Sequence, residues 1–371
     1  MSLKSLAPRV LTSPTLRAVS RLRHAGLRRL TGRPRTLHAF IERDDPYSHL
    51  LLQALPRLAE HYPVEISWHE VGPPDRSAAP EPDKLAAWSR EDARHLATAW
   101  NLDPTPQPWP QTAGADAGDA LRTKLGHYGS AMTWFEGEWY WGIDRLHHLE
   151  SRLGGQSPLF SPIPEPDSAG GGTLDVFLSL RSPYSYLAAM RLFDLADRWQ
   201  ATVRLRPVLP MVMRALPVPR RKRFYIVRDC KREAERLGLP FGNIADPVGL
   251  GVERGLALLA GEIRRGRGQA FLQAFLTAVW SQGVDAASDA GLRRICEVAG
   301  VSWDQARKDL ADDAWRAVVE ANRVELFGHG HWGVPTFKVG DRMAFGQDRL
   351  WLAGRWLEEA AAQDQARTRN Q

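Results

Sequence analysis

The stretch T-L-H-A-F-I-E-R-D-D-P-Y-S-H-L, from Thr36, returns as T-L-D-V-F-L-S-L-R-S-P-Y-S-Y-L, from Thr173, at a constant offset of 137. Without a gap, 36–71 and 173–208 share 11 of 36 positions. A second pair of anchors follows: G-H-Y-G at 126–129 and W-G-I-D-R-L at 141–146 match G-H-W-G at 330–333 and F-G-Q-D-R-L at 345–350, both at offset 204. Two anchors in the same order in both halves imply a tandem duplication with a longer middle in the second copy. The expected architecture is therefore two similar domains, and 371 residues suffice for each to bury its own core. Gly154 to Gly172, rich in Pro, Gly and Ser, reads as the linker between them. The layout is a basic arm (1–35), a first domain (36–153), the linker (154–172), a second domain (173–361) and a tail (362–371).

Each copy has the same local grammar. In the second, an apolar strand from Thr173 to Leu180 runs into a helix expected over Pro183–Trp199, with proline where its missing N–H costs nothing. A strand over Ala201–Val208 follows, and the short connection implies that the two strands are parallel. Helical spacing then marks 221–237, 251–264, 269–283, 289–299 and 303–326. G-V-P-T-F-K-V-G-D-R-M-A-F-G-Q-D reads as two short strands around a Gly-Asp turn, and an amphipathic helix from Leu350 to Ala361 closes the domain. The fold class is α/β, with β-α-β, a helical insertion and β-β-α in each domain.

Composition narrows the function. No stretch approaches about 18 consecutive apolar residues, so no integral membrane span is expected. Cys230 and Cys296 have no C-x-x-C, which argues against a disulfide framework, a Cys-rich zinc site and a dithiol centre, and makes a reducing cytoplasm the simplest location. The net charge of +6 is concentrated: residues 1–35 hold nine Lys or Arg and no Asp or Glu, so 36–371 carries 6 − 9 = −3. Nucleic acid is not an expected partner. The arm reads as a frayed, solvated tail, helical in part from Thr15 to Leu30, although a transit peptide or a membrane-surface segment shares its arginine richness. His329 and His331 have no third ligand at metal-site spacing, so no metal is expected.

S-P-Y-S-Y-L-A after the first strand, G-V-P-T-F before the third and F-G-Q-D-R-L after the fourth resemble the 2-hydroxychromene-2-carboxylate isomerases. That family groups with kappa-class glutathione transferases among DsbA-like thioredoxin folds. The resemblance covers about 173–360 and takes in K-R-F-Y-I-V-R-D-C-K-R-E from Lys222; the first copy resembles the fold only weakly. It implies glutathione as cofactor, held by its sulfur at Ser182, where a helix cap's free N–H groups and dipole favour an anion. It also implies a cis Val334–Pro335 bond that leaves the Val334 backbone to pair with the peptide of glutathione, and a γ-glutamyl contact at Gly346, Gln347 and Asp348. Tyr184 and Lys222 are weaker candidates for the substrate, with packing and a solvated helix face as their plainer roles. Homodimers are common in the family. The chain departs from it after the second strand, where many members carry an Asn and this one reads P-V-L-P-M-V-M-R-A-L-P-V-P-R-R-K.

In the first copy Asp45 stands where Ser182 stands in the second, and Ala131 or Met132 replaces Pro335. A carboxylate repels a thiolate, so the first domain is expected to bind no glutathione. The expected activity is a glutathione-dependent isomerase or transferase acting on a small conjugated, aromatic acid. The alternative is a non-catalytic DsbA-family binding or scaffold protein; a thiol-disulfide oxidoreductase is disfavoured because 182 and 185 are serines.

Overall fold

The computed structural model describes residues 6–216 and 218–369. Helices α1 (Leu6–Leu11) and α2 (Pro14–Leu30) precede β1 (Thr36–Ile41), α3 (Pro46–His61) and β2 (Glu65–Glu70). Then come α4 (Pro82–Trp100), α5 (Ala115–Lys124), β3 (Met132–Phe135), β4 (Glu138–Trp141) and α6 (Leu146–Leu153). The second half opens with β5 (Gly172–Leu178), α7 (Pro183–Trp199) and β6 (Ala201–Pro207). Six helices follow: α8 (Arg220–Arg236), α9 (Leu250–Arg264), α10 (Gly268–Ser281), α11 (Asp289–Val298), α12 (Trp303–Leu310) and α13 (Trp315–Gly328). The chain closes with β7 (Thr336–Val339), β8 (Arg342–Phe345) and α14 (Leu350–Arg369). Two compact units result: an N-terminal one, Ser13–Ile163 with Pro217–Tyr225, and a C-terminal one, Met1–Thr12 with Pro164–Leu216 and Ile226–Gln371.

Each unit is a four-stranded mixed sheet, in the order β2-β1-β3-β4 and β6-β5-β7-β8. The first two strands of each are parallel because a helix carries the chain back across the sheet; the last two form an antiparallel hairpin. Glu136 and Gly137 both take positive φ in the first hairpin, and Gly340 does so at the turn of the second, as tight hairpins require. The registers coincide at the offsets read from the sequence. Ala39 faces Thr133 in the N-terminal sheet and Val176 faces Phe337 in the C-terminal one, displaced by 137 and 204.

The shared P-Y-S has a physical reason in both units. Pro46 and Pro183 each start a helix capped by the preceding side chain, Asp45 or Ser182. Buried Ser48 accepts a hydrogen bond from the Glu42 N–H at 3.0 Å, and buried Ser185 from the Ser179 N–H at 3.3 Å. Tyr47 donates to Asp92 on α4 and Tyr184 to Asp229 on α8, both at 2.8 Å. These bonds tie strand, helix and insertion together, so they hold the fold whether or not a site is present.

Runs of consecutive buried residues in β1 and β5, with the inward faces of α3 and α7, supply the cores. Leu37, Phe40 and Leu55 are fully buried in one unit, and Phe177, Trp199 and Phe337 in the other. Each such side chain contributes roughly 1.5–3 kcal/mol. The offset grows from 137 to 204 between α4 and α5, and the 67 extra residues of the second half make α9–α12. The single helix expected over 303–326 is two, because Asp312 accepts the Ala314 N–H at 2.9 Å and draws the backbone out of the helix. The arm is also more ordered than a frayed tail: α2 spans its middle, held by Arg21 on Glu138 at 2.8 Å and Arg28 on Glu136 at 2.7 Å. The linker is anchored at both ends. Glu150 accepts from the Leu159 and Phe160 N–H groups in one unit, while Glu165 pairs with Arg191 in the other. The last helix runs on to Arg369, past the expected end at Ala361.

Candidate active site

Ser182 is the N-cap of α7 and is half-buried. Its Oγ accepts the Ser185 N–H at 3.1 Å and donates to the Val334 carbonyl at 3.3 Å. The first bond polarises the hydroxyl toward donation. The second is long, so the proton can turn to a better acceptor at small cost. The helix N-terminus adds a favourable field for negative charge at this point. Arg181, the neighbouring cation, is already matched by Asp246 at 2.6 Å.

The Val334–Pro335 bond is cis, and the Pro335 carbonyl accepts the Gly346 N–H at 2.9 Å. Ser182, Val334, Pro335 and Gly346 therefore form one connected edge at the head of α7. Val334 and Met343 pack on Phe177, Val208 and Leu326, which places an apolar floor beside that edge.

The remaining candidates divide. Gln347 is buried and committed: Arg191 donates to its carbonyl and side-chain oxygen at 2.7 and 2.8 Å, and its amide donates to Glu233 at 3.1 Å. Asp348 is half-buried beside Arg349, within reach of the Gly346 backbone turn. Tyr184 spends its hydroxyl on Asp229, which is itself ion-paired with Arg232 at 3.0 Å. Lys222 belongs to the N-terminal unit, where its ammonium donates to the Ala78 carbonyl at 2.6 Å and burial lowers its pKa to about 8.

Sequence reasoning passed over Arg214. It lies in the segment after β6 where the family resemblance lapses, and its guanidinium donates to the Trp332 carbonyl at 3.0 Å. That puts a cation against the loop that carries Val334. Burial and the nearby Arg323 both lower its pKa, and its Nε has no hydrogen-bond partner among the described residues. The available signal was the arginine itself, in a segment where the family's asparagine is missing.

The corresponding place in the N-terminal unit has another chemistry. Asp45 accepts from the Tyr47 N–H at 3.2 Å and the Ser48 hydroxyl at 2.8 Å, and burial raises its pKa. Glu42, where the other unit has Ser179, has its pKa raised to about 7, first by burial and then by Asp45. Ala131 is the counterpart of Pro335, since its carbonyl accepts the Gly142 N–H at 2.8 Å, and it adopts a positive φ of 50°.

The C-terminal unit has the fold of a DsbA-like thioredoxin domain: residues 173–353 match the family model described as the DSBA-like thioredoxin domain. The match does not extend into the first half. Among curated proteins, the chain is 28% identical over 194 residues to the 2-hydroxychromene-2-carboxylate isomerase of Sphingobium xenophagum, spanning 48% of this chain and 94% of that one. It is 26% identical over 189 residues to the protein of the same name from Pseudomonas putida, spanning 48% and 91%. Among solved structures, a 2-hydroxychromene-2-carboxylate isomerase aligns with a TM-score of 0.46 at 22% identity, over 52% of this chain and 98% of that one. The cytosolic disulfide reductase DsbM from Pseudomonas aeruginosa aligns with a TM-score of 0.40 at 21% identity, over 52% and 99%.

Proposed function

We propose that the C-terminal unit is a glutathione-dependent isomerase or transferase of the 2-hydroxychromene-2-carboxylate isomerase type, working in a reducing cytoplasm. The observation that carries this reading is the Ser182 hydroxyl at the head of α7, bonded to the Val334 carbonyl beside Pro335. These two groups satisfy each other. Bound glutathione would separate them: the hydroxyl turns to the sulfur as a donor, and Val334 pairs with the peptide as an added strand does. A thiolate held this way is kept deprotonated by the hydroxyl and by the helix N-terminus.

The thiolate adds to a conjugated double bond of the substrate, forming a C–S bond while the displaced electron pair moves onto the conjugated carbonyl. The former double bond is now single and rotates. Elimination breaks the C–S bond, returns the pair to sulfur and restores the double bond in the other geometry. No oxidant or reductant is consumed. Arg214 is suited to the acidic group of such a substrate, and Gly346 with Asp348 to the amino-acid end of glutathione. Thiol-disulfide exchange by the protein's own thiols fits poorly: Cys230 and Cys296 are buried, and burial raises the Cys296 pKa to about 11.

We further propose that the N-terminal unit arose with the C-terminal one by tandem duplication and has no catalytic role. The matching registers, caps and Tyr–Asp bonds support the duplication; Asp45 and Glu42 in place of Ser182 and Ser179 support the loss of thiolate binding. The test is turnover of a 2-hydroxychromene-2-carboxylate with and without glutathione. Activity should require glutathione and fall about a hundredfold in Ser182→Ala. Glutathione-independent turnover, or full activity in that variant, would refute the proposal.

A further inference from the structure

Helix α2 is docked the wrong way round for a helix that only serves its own domain. Its inner side is polar: Arg21 bonds Glu138, Arg28 bonds Glu136, and His24 meets Trp134 edge-on at 6.0 Å. Residues 21, 24 and 28 share one face of a helix. The opposite side gathers the helix's apolar residues around the exposed Arg23 and is turned to solvent. Leu16 is 50% exposed, Val19 56%, Leu22 72%, Leu27 61% and Leu30 88%, and no residue of the helix is buried. A buried amphipathic helix presents the reverse arrangement.

The charge around this apolar side has one sign. Residues 1–35 contain nine Lys or Arg and no Asp or Glu. Arg23, Arg29 and Arg33 are exposed, and no carboxylate pairs with them among the described residues. Leucine and valine flanked by arginine, with no acidic residue to repel phosphate, is the combination that seats a helix in the plane of an anionic bilayer: apolar side chains enter the acyl boundary and guanidinium groups stay at the headgroups. The ion pairs to Glu136 and Glu138 hold the helix with that side outward before any membrane is met. No helix among the described residues is long and apolar enough to cross a membrane, so such attachment would be peripheral.

We propose that the outward face of α2 is a docking surface for an anionic phospholipid bilayer. The test is co-sedimentation of the full chain with vesicles of phosphatidylcholine, with and without phosphatidylglycerol, at low and high salt. The chain should pellet only with the anionic vesicles, and high salt should release it. Val19→Asp with Leu27→Asp, and separately Arg23→Glu with Arg29→Glu, should each weaken binding at least about tenfold, since one set removes apolar insertion and the other the charge. All four positions are exposed, so unchanged circular dichroism and melting are expected to show that the fold survives. Absence of binding at low salt would overturn the proposal. So would vesicle binding that Val19→Asp with Leu27→Asp leaves intact, which would reduce the effect to basic charge alone. Wild-type dimers that these substitutions dissociate, with no vesicle binding, would assign the face to a second copy and equally overturn it.

Discussion

Replacing Glu42 by Gln should stabilise the N-terminal unit by an amount that grows as pH rises from about 4.5 to about 7 and stays constant above that. In the folded chain burial and Asp45 raise the Glu42 pKa from 4.5 to about 7. The folded state therefore holds a proton that the unfolded state releases between those values. The stabilisation linked to that proton is fully present below the unfolded pKa and is lost as pH rises through about 7. A displacement of this size corresponds to about 3 kcal/mol at most, at about 1.4 kcal/mol for each pKa unit. Glu42 is only half-buried, and solvent screening brings this to about 1–2 kcal/mol. Glutamine keeps the shape and cannot ionise. Hydrogen exchange at the β1 and β2 amides reads the N-terminal unit separately from the other. Glu42→Gln should raise their protection free energy by about 1–2 kcal/mol near pH 8.5 and leave it nearly unchanged near pH 5. An equal gain at both pH values, or none at the higher one, would refute the claim that a crowded carboxylate pair occupies the place of Ser179 and Ser182.

Other outcomes follow from the same contacts. Tyr184→Phe removes a donor from the fully buried Asp229 and should lower the melting stability of the C-terminal unit by about 1–3 kcal/mol; Tyr47→Phe should do the same for the other unit through Asp92. Lys222 titrates near 8 when folded against 10.5 when unfolded, so the unfolded state binds more protons between those values and its contribution to stability rises with pH across them. Lys222→Met should flatten that rise in a pH series of urea unfolding curves. Arg214→Met should raise the KM for an acidic substrate more than it lowers kcat, and an unchanged KM would remove Arg214 from the substrate site.

Much of the fold is legible in the amino-acid sequence. The helix over Pro183–Trp199 begins and ends where the sequence places it, because proline and a capping serine mark its start and the apolar period runs unbroken to Trp199. The offsets of 137 and 204 establish which residues correspond, and the strand registers follow them. Features that depend on partners distant along the chain are not legible in this way. The commitment of Tyr184 to Asp229 and of Gln347 to Arg191 and Glu233 needs the insertion helices in place. The break at Ala311–Ala314 is set by one side-chain bond within an otherwise helical pattern, and the order of α2 by ion pairs to a hairpin more than a hundred residues away. Propensity alone favours neither outcome.

The most direct test of the central claim is the stoichiometry of glutathione binding, measured by isothermal titration of the wild-type chain, Ser182→Ala and Asp45→Ser. The proposed duplication with one competent site predicts one glutathione per wild-type chain and a large loss of affinity in Ser182→Ala, with a cap-related loss of only about 1 kcal/mol in stability. Asp45→Ser alone should leave the stoichiometry at one, because Glu42 still places a carboxyl beside the cap and Ala131 still stands where the other unit has Pro335. Two equivalent sites in the wild-type chain, or one site indifferent to Ser182, would contradict the account.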